Sequence, residues 1–178
     1  MNVAVRQSTD QKYHAENQII RFFLSYIDYK NKNIALYFAK KEELNVSLLV
    51  KHLWKENINV FLPVMNSEEM TLHFAAYREN TVIKKNVYGI DEPECVNILS
   101  PKELDIVLLP MLAFNRQGQR LGMGKGYYDR TFAFRQHNRI KPLLIGIAYA
   151  NQESQDLTGD AWDIPVDIII TENEYYRV

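Results

Sequence analysis

The chain contains the run Ile106-Val107-Leu108-Leu109-Pro110 and, a short way on, Gly118-Gln119-Arg120-Leu121-Gly122-Met123-Gly124-Lys125-Gly126-Tyr127-Tyr128-Asp129. A short, unbroken apolar run has the character of a strand covered on both faces, as in a parallel sheet. A glycine-rich turn and a segment with helical potential follow it. That order predicts an α/β domain with its ligand site beyond the carboxyl end of the strand. Four of the seven glycines of the protein fall in the second stretch, so they are concentrated where backbone N–H groups can converge on an anion that a Cβ would keep away. A helix N-terminus behind them would add partial positive charge. Lys125 offers a mobile cation, Arg120 a planar one, and Asp129 a carboxylate suited to magnesium. Glycine spacing alone would fit a plain surface turn equally well; the Arg, Lys, Tyr-Tyr and Asp around it favour a phosphate cradle.

Outward from this stretch, the pattern repeats. Residues 13–29 carry Ile19, Ile20, Phe22, Phe23, Leu24, Tyr26 and Ile27 at helical spacing, with Ser8, Thr9 and Asp10 as capping residues upstream. Residues 34–38 read as a central strand, 46–57 as a helix and 58–62 as a second strand. Residues 71–75 predict a third strand, antiparallel or at an edge because only a short loop precedes it. A turn-rich stretch over 88–93 leads to the strand at 105–110. Residues 127–137 predict the helix after the glycine loop, and 143–149 and 166–171 two further strands. Five or six strands alternating with helices imply a single three-layer α/β/α domain over residues 1–178, Rossmann-like, with a mostly parallel central sheet. The polar loops at 39–43, at the glycines and at 152–163 each follow a strand, which permits one shared site.

Composition bounds the partners. Twenty-one Lys and Arg against 22 Asp and Glu give a net charge of −1, which makes no electrostatic case for nucleic acid or an anionic membrane surface. An apolar fraction of 47% with 24% charged residues suits a folded globule. Cys95 is the sole cysteine; it forms no internal disulfide and implies a reducing compartment. With no membrane-length apolar run and a polar start over residues 1–12, the expectation is a cytoplasmic monomer. His14, His52, His73 and His137 are scattered without a partnered Ser or Cys, so a hydrolytic triad is not expected.

The pattern Pro110-x-x-Ala113-Phe114-Asn115-x-x-Gly118-x-Arg120-Leu121-Gly122-x-Gly124-x-Gly126-Tyr127-Tyr128-Asp129 strongly resembles the 5-formyltetrahydrofolate cyclo-ligase (methenyltetrahydrofolate synthetase) family. Ile34-Ala35-Leu36-Tyr37, Glu43-x-Asn45, Leu62-Pro63, Tyr88-Gly89-Ile90-x-Glu92-Pro93, Gln152, Asp163 and Ile170-Thr171-Glu172 resemble its landmarks in the same order. The resemblance implies closure of 5-formyltetrahydrofolate, a small-molecule folate, to 5,10-methenyltetrahydrofolate with ATP and Mg2+. It implies nucleotide contacts from Arg120, Leu121, Gly122, Met123, Gly124, Lys125, Gly126, Tyr127 and Tyr128, with Lys125 as the catalytic residue that steadies the transferred phosphoryl group. Phe38, Glu43 and residues 123–127 would hold the folate: Met123, Gly124, Lys125, Gly126 and Tyr127. Asp129 and Asp163 would bind the metal. Three departures qualify this set, the first being Met123 at a position where the family often has Tyr or Arg. Asn115 stands where the family has Asp. The paired Lys and Arg of the family's first helix would align before Met1, a position that Arg6 and Lys12 do not fill. A catalytically weak, folate-binding or regulatory relative is therefore the alternative expectation.

Overall fold

The computed structural model describes residues 9–40, 43–94, 97–136 and 141–178. Its elements, in chain order, are α1 (Thr9–Tyr26), β1 (Asn33–Ala35), α2 (Ser47–Lys55), β2 (Asn59–Asn66), β3 (Thr71–Ala76), β4 (Ile83–Lys85), β5 (Asp91–Pro93), β6 (Ile98–Leu99), β7 (Ile106–Pro110), β8 (Ala113–Phe114), β9 (Arg120–Leu121), α3 (Tyr127–Thr131), β10 (Leu143–Ile147), β11 (Ile168–Ile170) and β12 (Tyr175–Arg177). Eight strands form one sheet in the order β12-β11-β10-β7-β1-β2-β3-β6. Its five middle strands, β11 to β2, run parallel, and β12, β3 and β6 extend it antiparallel at the two ends. The mostly parallel α/β sheet expected from the apolar runs is therefore present.

Side chains alternate across this sheet, and the alternation assigns its two faces. Ile34, Leu36, Val60, Leu62, Ile106, Leu108, Ile145 and Ile147 join Ile19 and Phe23 of α1 and Leu49 and Leu53 of α2 in one buried cluster. Ala35, Phe61, Val107, Leu109, Leu144 and Ile169 point the other way and pack with Phe74, Phe114, Phe132, Ile164 and Val166. The first face is covered by long helices. The second is covered by α3, the β8–β9 ribbon and irregular chain, so the layer on that side is thin.

Two local expectations give way here. The helix expected over 127–137 closes after Thr131, followed by a 3-10 turn at Ala133–Gln136; His137 lies outside the described residues. Tertiary contacts explain the early stop. Thr131 Oγ1 donates to the Tyr127 carbonyl (2.7 Å) and accepts from the Leu72 N–H (2.8 Å), tying the helix end to β3. Phe132 then buries against Phe74, and Arg135 turns inward to Asp167. The glycine stretch, for its part, begins as a ribbon. Ala113 and Phe114 pair with Leu121 and Arg120 before the chain reaches Gly122.

Candidate functional site

In order of appearance, the five parallel strands lie 5-4-3-1-2 across the sheet, so the direction of winding reverses between β1 and β7. Ligands of open α/β sheets sit in the crevice beyond the carboxyl ends of the strands at such a reversal. The chain leaving β1 carries Phe38 and Lys40 to that edge, and the chain leaving β7 carries the ribbon and the glycine loop. They meet: the Lys40 ammonium lies 3.0 Å from the Met123 sulfur. Glu43 closes the β1 side of the crevice through its Oε2, which accepts the Lys40 N–H at 2.9 Å.

The ribbon is held by a network centred on Asn115. Its Oδ1 accepts the N–H groups of Gln117 and Gln119, both at 3.0 Å, and so builds the turn of the ribbon. Its amide group also donates to the Leu157 carbonyl (2.9 Å) and to Gln119 Oε1 (2.6 Å), which an ionised carboxylate cannot do. Gly118 sits at the apex with φ of +79°, and a Cβ there would come within 2.6 Å of the Val166 carbonyl oxygen. Glycine is required at that turn by backbone contact. Gly122 differs, with no other atom within 4 Å of its Cβ position. Nothing in the fold demands its missing side chain.

Residues 121–125 are exposed, whereas Arg120 and Asp129 lie behind them. The Arg120 side chain is 7% exposed; it donates to Asp129 Oδ1 at 2.7 Å and to the Ile164 carbonyl. The Ile164 N–H returns to the same Asp129 oxygen at 3.1 Å. Arg120 thus clamps α3 to the segment carrying Asp163, and its guanidinium faces inward. Asp163 uses Oδ2 to accept the Asp160 N–H at 2.9 Å and borders a concavity of about 280 Å³ with Arg135, Gln136, Ala161, Ile164 and Pro165. Among the described residues, each of these two aspartates keeps one oxygen without a hydrogen bond. No group of three or more His, Cys, Asp or Glu with metal-holding geometry occurs among them.

Lys125 stands above the Tyr88 ring, 4.6 Å from its centroid. Tyr88 rides the tip of the β4–β5 hairpin, whose turn is built by Asn86: its Oδ1 accepts the Tyr88 and Ile90 N–H groups. Glu92 pins this arm to β2 by accepting the Met65 N–H at 2.9 Å. Arg130 donates to the Met70 and Lys125 carbonyls, so its charge is engaged in holding the loop. Tyr127 and Tyr128 are partly buried behind the glycines. Burial pushes the Tyr128 phenol upward, with the Glu43 carboxylate adding to the effect and Arg120 opposing it. Burial, then Glu43, Tyr128 and Tyr149, likewise hold the Tyr37 phenol well above its ordinary range. Both phenols stay neutral donors, and both lie within the field of Glu43. Phe38 faces Tyr77 edge-on at 5.5 Å, at the border of the first-face core. Neither the hairpin contact nor the Lys40 contact has a sequence signature of its own: 88–93 reads as a turn and 39–43 as a charged loop.

The N-terminus of α3 contributes little charge to the cradle, because a single turn of helix sums few peptide dipoles. What the loop offers to an anion is the exposed chain at residues 122–125 and the ammonium groups of Lys40 and Lys125. No helix among the described residues is long and apolar enough to cross a membrane.

Comparison with known proteins agrees with this geometry. The profile of the 5-formyltetrahydrofolate cyclo-ligase family matches residues 2–172. The 5-formyltetrahydrofolate cyclo-ligase of Haemophilus influenzae is 39% identical over 165 residues, covering 90% of this chain and 87% of that protein. Its Escherichia coli counterpart is 32% identical, covering 81% and 80%. The solved structure of Aquifex aeolicus 5,10-methenyltetrahydrofolate synthetase superposes with a TM-score of 0.80 at 32% identity, over 96% of this chain and 84% of that one. The Mycoplasma pneumoniae 5,10-methenyltetrahydrofolate synthetase gives 0.72 at 31%, over 93% and 90%. With its glycine loop at the sheet's switch point and this agreement along nearly its whole length, the chain belongs to the 5-formyltetrahydrofolate cyclo-ligase family.

Proposed function

We propose that this protein catalyses the ATP- and magnesium-dependent closure of 5-formyltetrahydrofolate to 5,10-methenyltetrahydrofolate, releasing ADP and phosphate, as a cytoplasmic monomer. The observation that carries this reading is the exposed, glycine-lined loop at residues 122–125, with Lys125 in it, set against the chain leaving β1 at the switch point. The formyl oxygen of the substrate attacks the γ-phosphorus, the bond to the β,γ-bridging oxygen breaks, and ADP leaves. N10 then adds to the activated formyl carbon and loses its proton to solvent, and the carbon–oxygen bond breaks to release phosphate and leave the amidinium of the methenyl product. Such chemistry demands positioning and charge stabilisation more than an acid–base pair.

The backbone of Gly122, Met123, Gly124 and Gly126 would cradle the phosphates, and Lys125, swinging from Tyr88, would meet the charge on the transferred group. Arg120 and Leu121 would set the loop's entry, and Tyr127 and Tyr128 its exit. Phe38 and Glu43 would receive the pterin, the ring by its face and the carboxylate by accepting from its donor edge. Asp129 and Asp163 would hold magnesium; one uncommitted carboxylate oxygen on each suits a hard cation that takes few protein ligands and keeps waters and phosphate oxygens. When bound, that ion would supply charge neutralisation at the phosphates.

Mixing the protein with 5-formyltetrahydrofolate and MgATP should raise the near-ultraviolet absorbance of the conjugated methenyl product. Folate binding with no ATP-dependent absorbance at high protein concentration would refute the catalytic reading and leave the weak, regulatory relative in its place.

A further inference from the structure

We propose that Lys40 is a second phosphate-contacting cation of this site, supplied by the chain leaving β1 and acting beside Lys125 of the glycine loop. The proposal rests on the nucleotide reading above. The census of cations around the loop carries it. Arg120 is buried and committed to Asp129 and the Ile164 carbonyl. Arg130 is committed to the Met70 and Lys125 carbonyls. Two ammonium groups remain that touch the exposed loop and have no carboxylate within ion-pairing distance among the described residues: Lys125, over Tyr88, and Lys40, against Met123.

The contact that holds Lys40 is weak. A thioether sulfur is a poor acceptor, and neither partner is buried, so a polyphosphate would displace it readily. The base of the side chain is fixed by contrast, since Glu43 accepts the Lys40 N–H while the Glu43 N–H donates to the Lys40 carbonyl at 3.0 Å. The ammonium can therefore swing while its root stays at the switch point. Its resting partner, Met123, sits between Gly122 and Gly124, where the loop has its most open backbone. A chain of phosphates laid along the loop would meet Lys40 at Met123 and Lys125 within the loop itself.

Calorimetric titration of ATP, ADP and AMP with magnesium into wild type, Lys40→Ala and Lys40→Arg tests this, together with KM for ATP and for 5-formyltetrahydrofolate. Lys40→Ala should weaken ATP binding about tenfold and raise its KM by a similar factor, with AMP affinity and folate KM unchanged. Lys40→Arg should restore most of the loss. Equal melting temperatures for the three proteins would show that the effect is not one of folding. Unchanged ATP affinity in Lys40→Ala, or a rise in folate KM alone, would overturn the proposal while leaving the reaction standing. A wild-type protein that binds no ATP would overturn both.

Discussion

Gly122 and Gly118 look alike in the sequence but answer to different demands. Gly118 has a left-handed backbone and a carbonyl oxygen in the place of its Cβ, so the ribbon requires it. Gly122 has neither constraint, and its role would be to let a ligand approach. Gly122→Ala should accordingly change unfolding free energy by no more than about 0.5 kcal/mol while raising KM for ATP about tenfold; a stable variant with wild-type KM would remove Gly122 from the cradle. Arg120 and Asp129 separate in the same way. Arg120→Ala leaves a largely buried carboxylate unpaired and should cost about 3 kcal/mol in urea unfolding. Asp129→Asn keeps an oxygen for the Ile164 N–H and Arg120, so stability should fall by less than about 1 kcal/mol, whereas turnover should drop at least about 100-fold if the carboxylate holds magnesium. Wild-type turnover in Asp129→Asn would place the metal elsewhere.

Among the elements, the central strands are stapled at the edge opposite the site. Asp105, just before β7, accepts the Asn33 N–H of β1 at 2.9 Å and pairs with Lys141 at 2.6 Å, while its carbonyl accepts the Leu143 N–H of β10. Burial disfavours its charge, but the Lys141 ammonium and the Asn33 N–H outweigh that, and the carboxyl titrates below its ordinary 3.8. A depressed carboxyl stabilises the fold fully above the unfolded value and loses that contribution as pH falls through the folded one. Asp105→Asn should therefore melt lower than wild type at neutral pH, and the gap should close as pH drops below about 4. Its turnover should match wild type, because the staple lies at the amino edge of the sheet. A constant gap down to low pH would show that the charge of Asp105 contributes nothing.

At the scale of the molecule, loops from β1 and β7 and the β4–β5 arm converge on one rim, so a ligand bridging them should stabilise the whole fold. At one hundred times its Kd, MgATP should add about 2.7 kcal/mol, read as a raised melting temperature that EDTA largely abolishes; no shift under saturating MgATP would contradict nucleotide binding at the rim. Much of this architecture was legible in the chain. The apolar runs at 34–38, 58–62, 106–109 and 143–149 place the parallel strands, because a strand buried on both faces has no freedom to be polar, and the glycine stretch marks a backbone that a ligand approaches. Short edge strands such as β6 and β12 leave no such mark, since two or three residues carry no period. The early end of α3 was likewise hidden, for it depends on Thr131 meeting Leu72, far away in the sequence. Residue pattern was enough for the parallel core of the sheet, for the two helices α1 and α2 that cover one face, and for the chemical character of the loop. Tertiary structure alone decided that Arg120 faces inward to Asp129, that Lys125 rests on Tyr88 and that Lys40 reaches Met123. These are contacts between residues 9, 37 and 83 positions apart, and residue type and local spacing do not encode which distant surface a side chain will find.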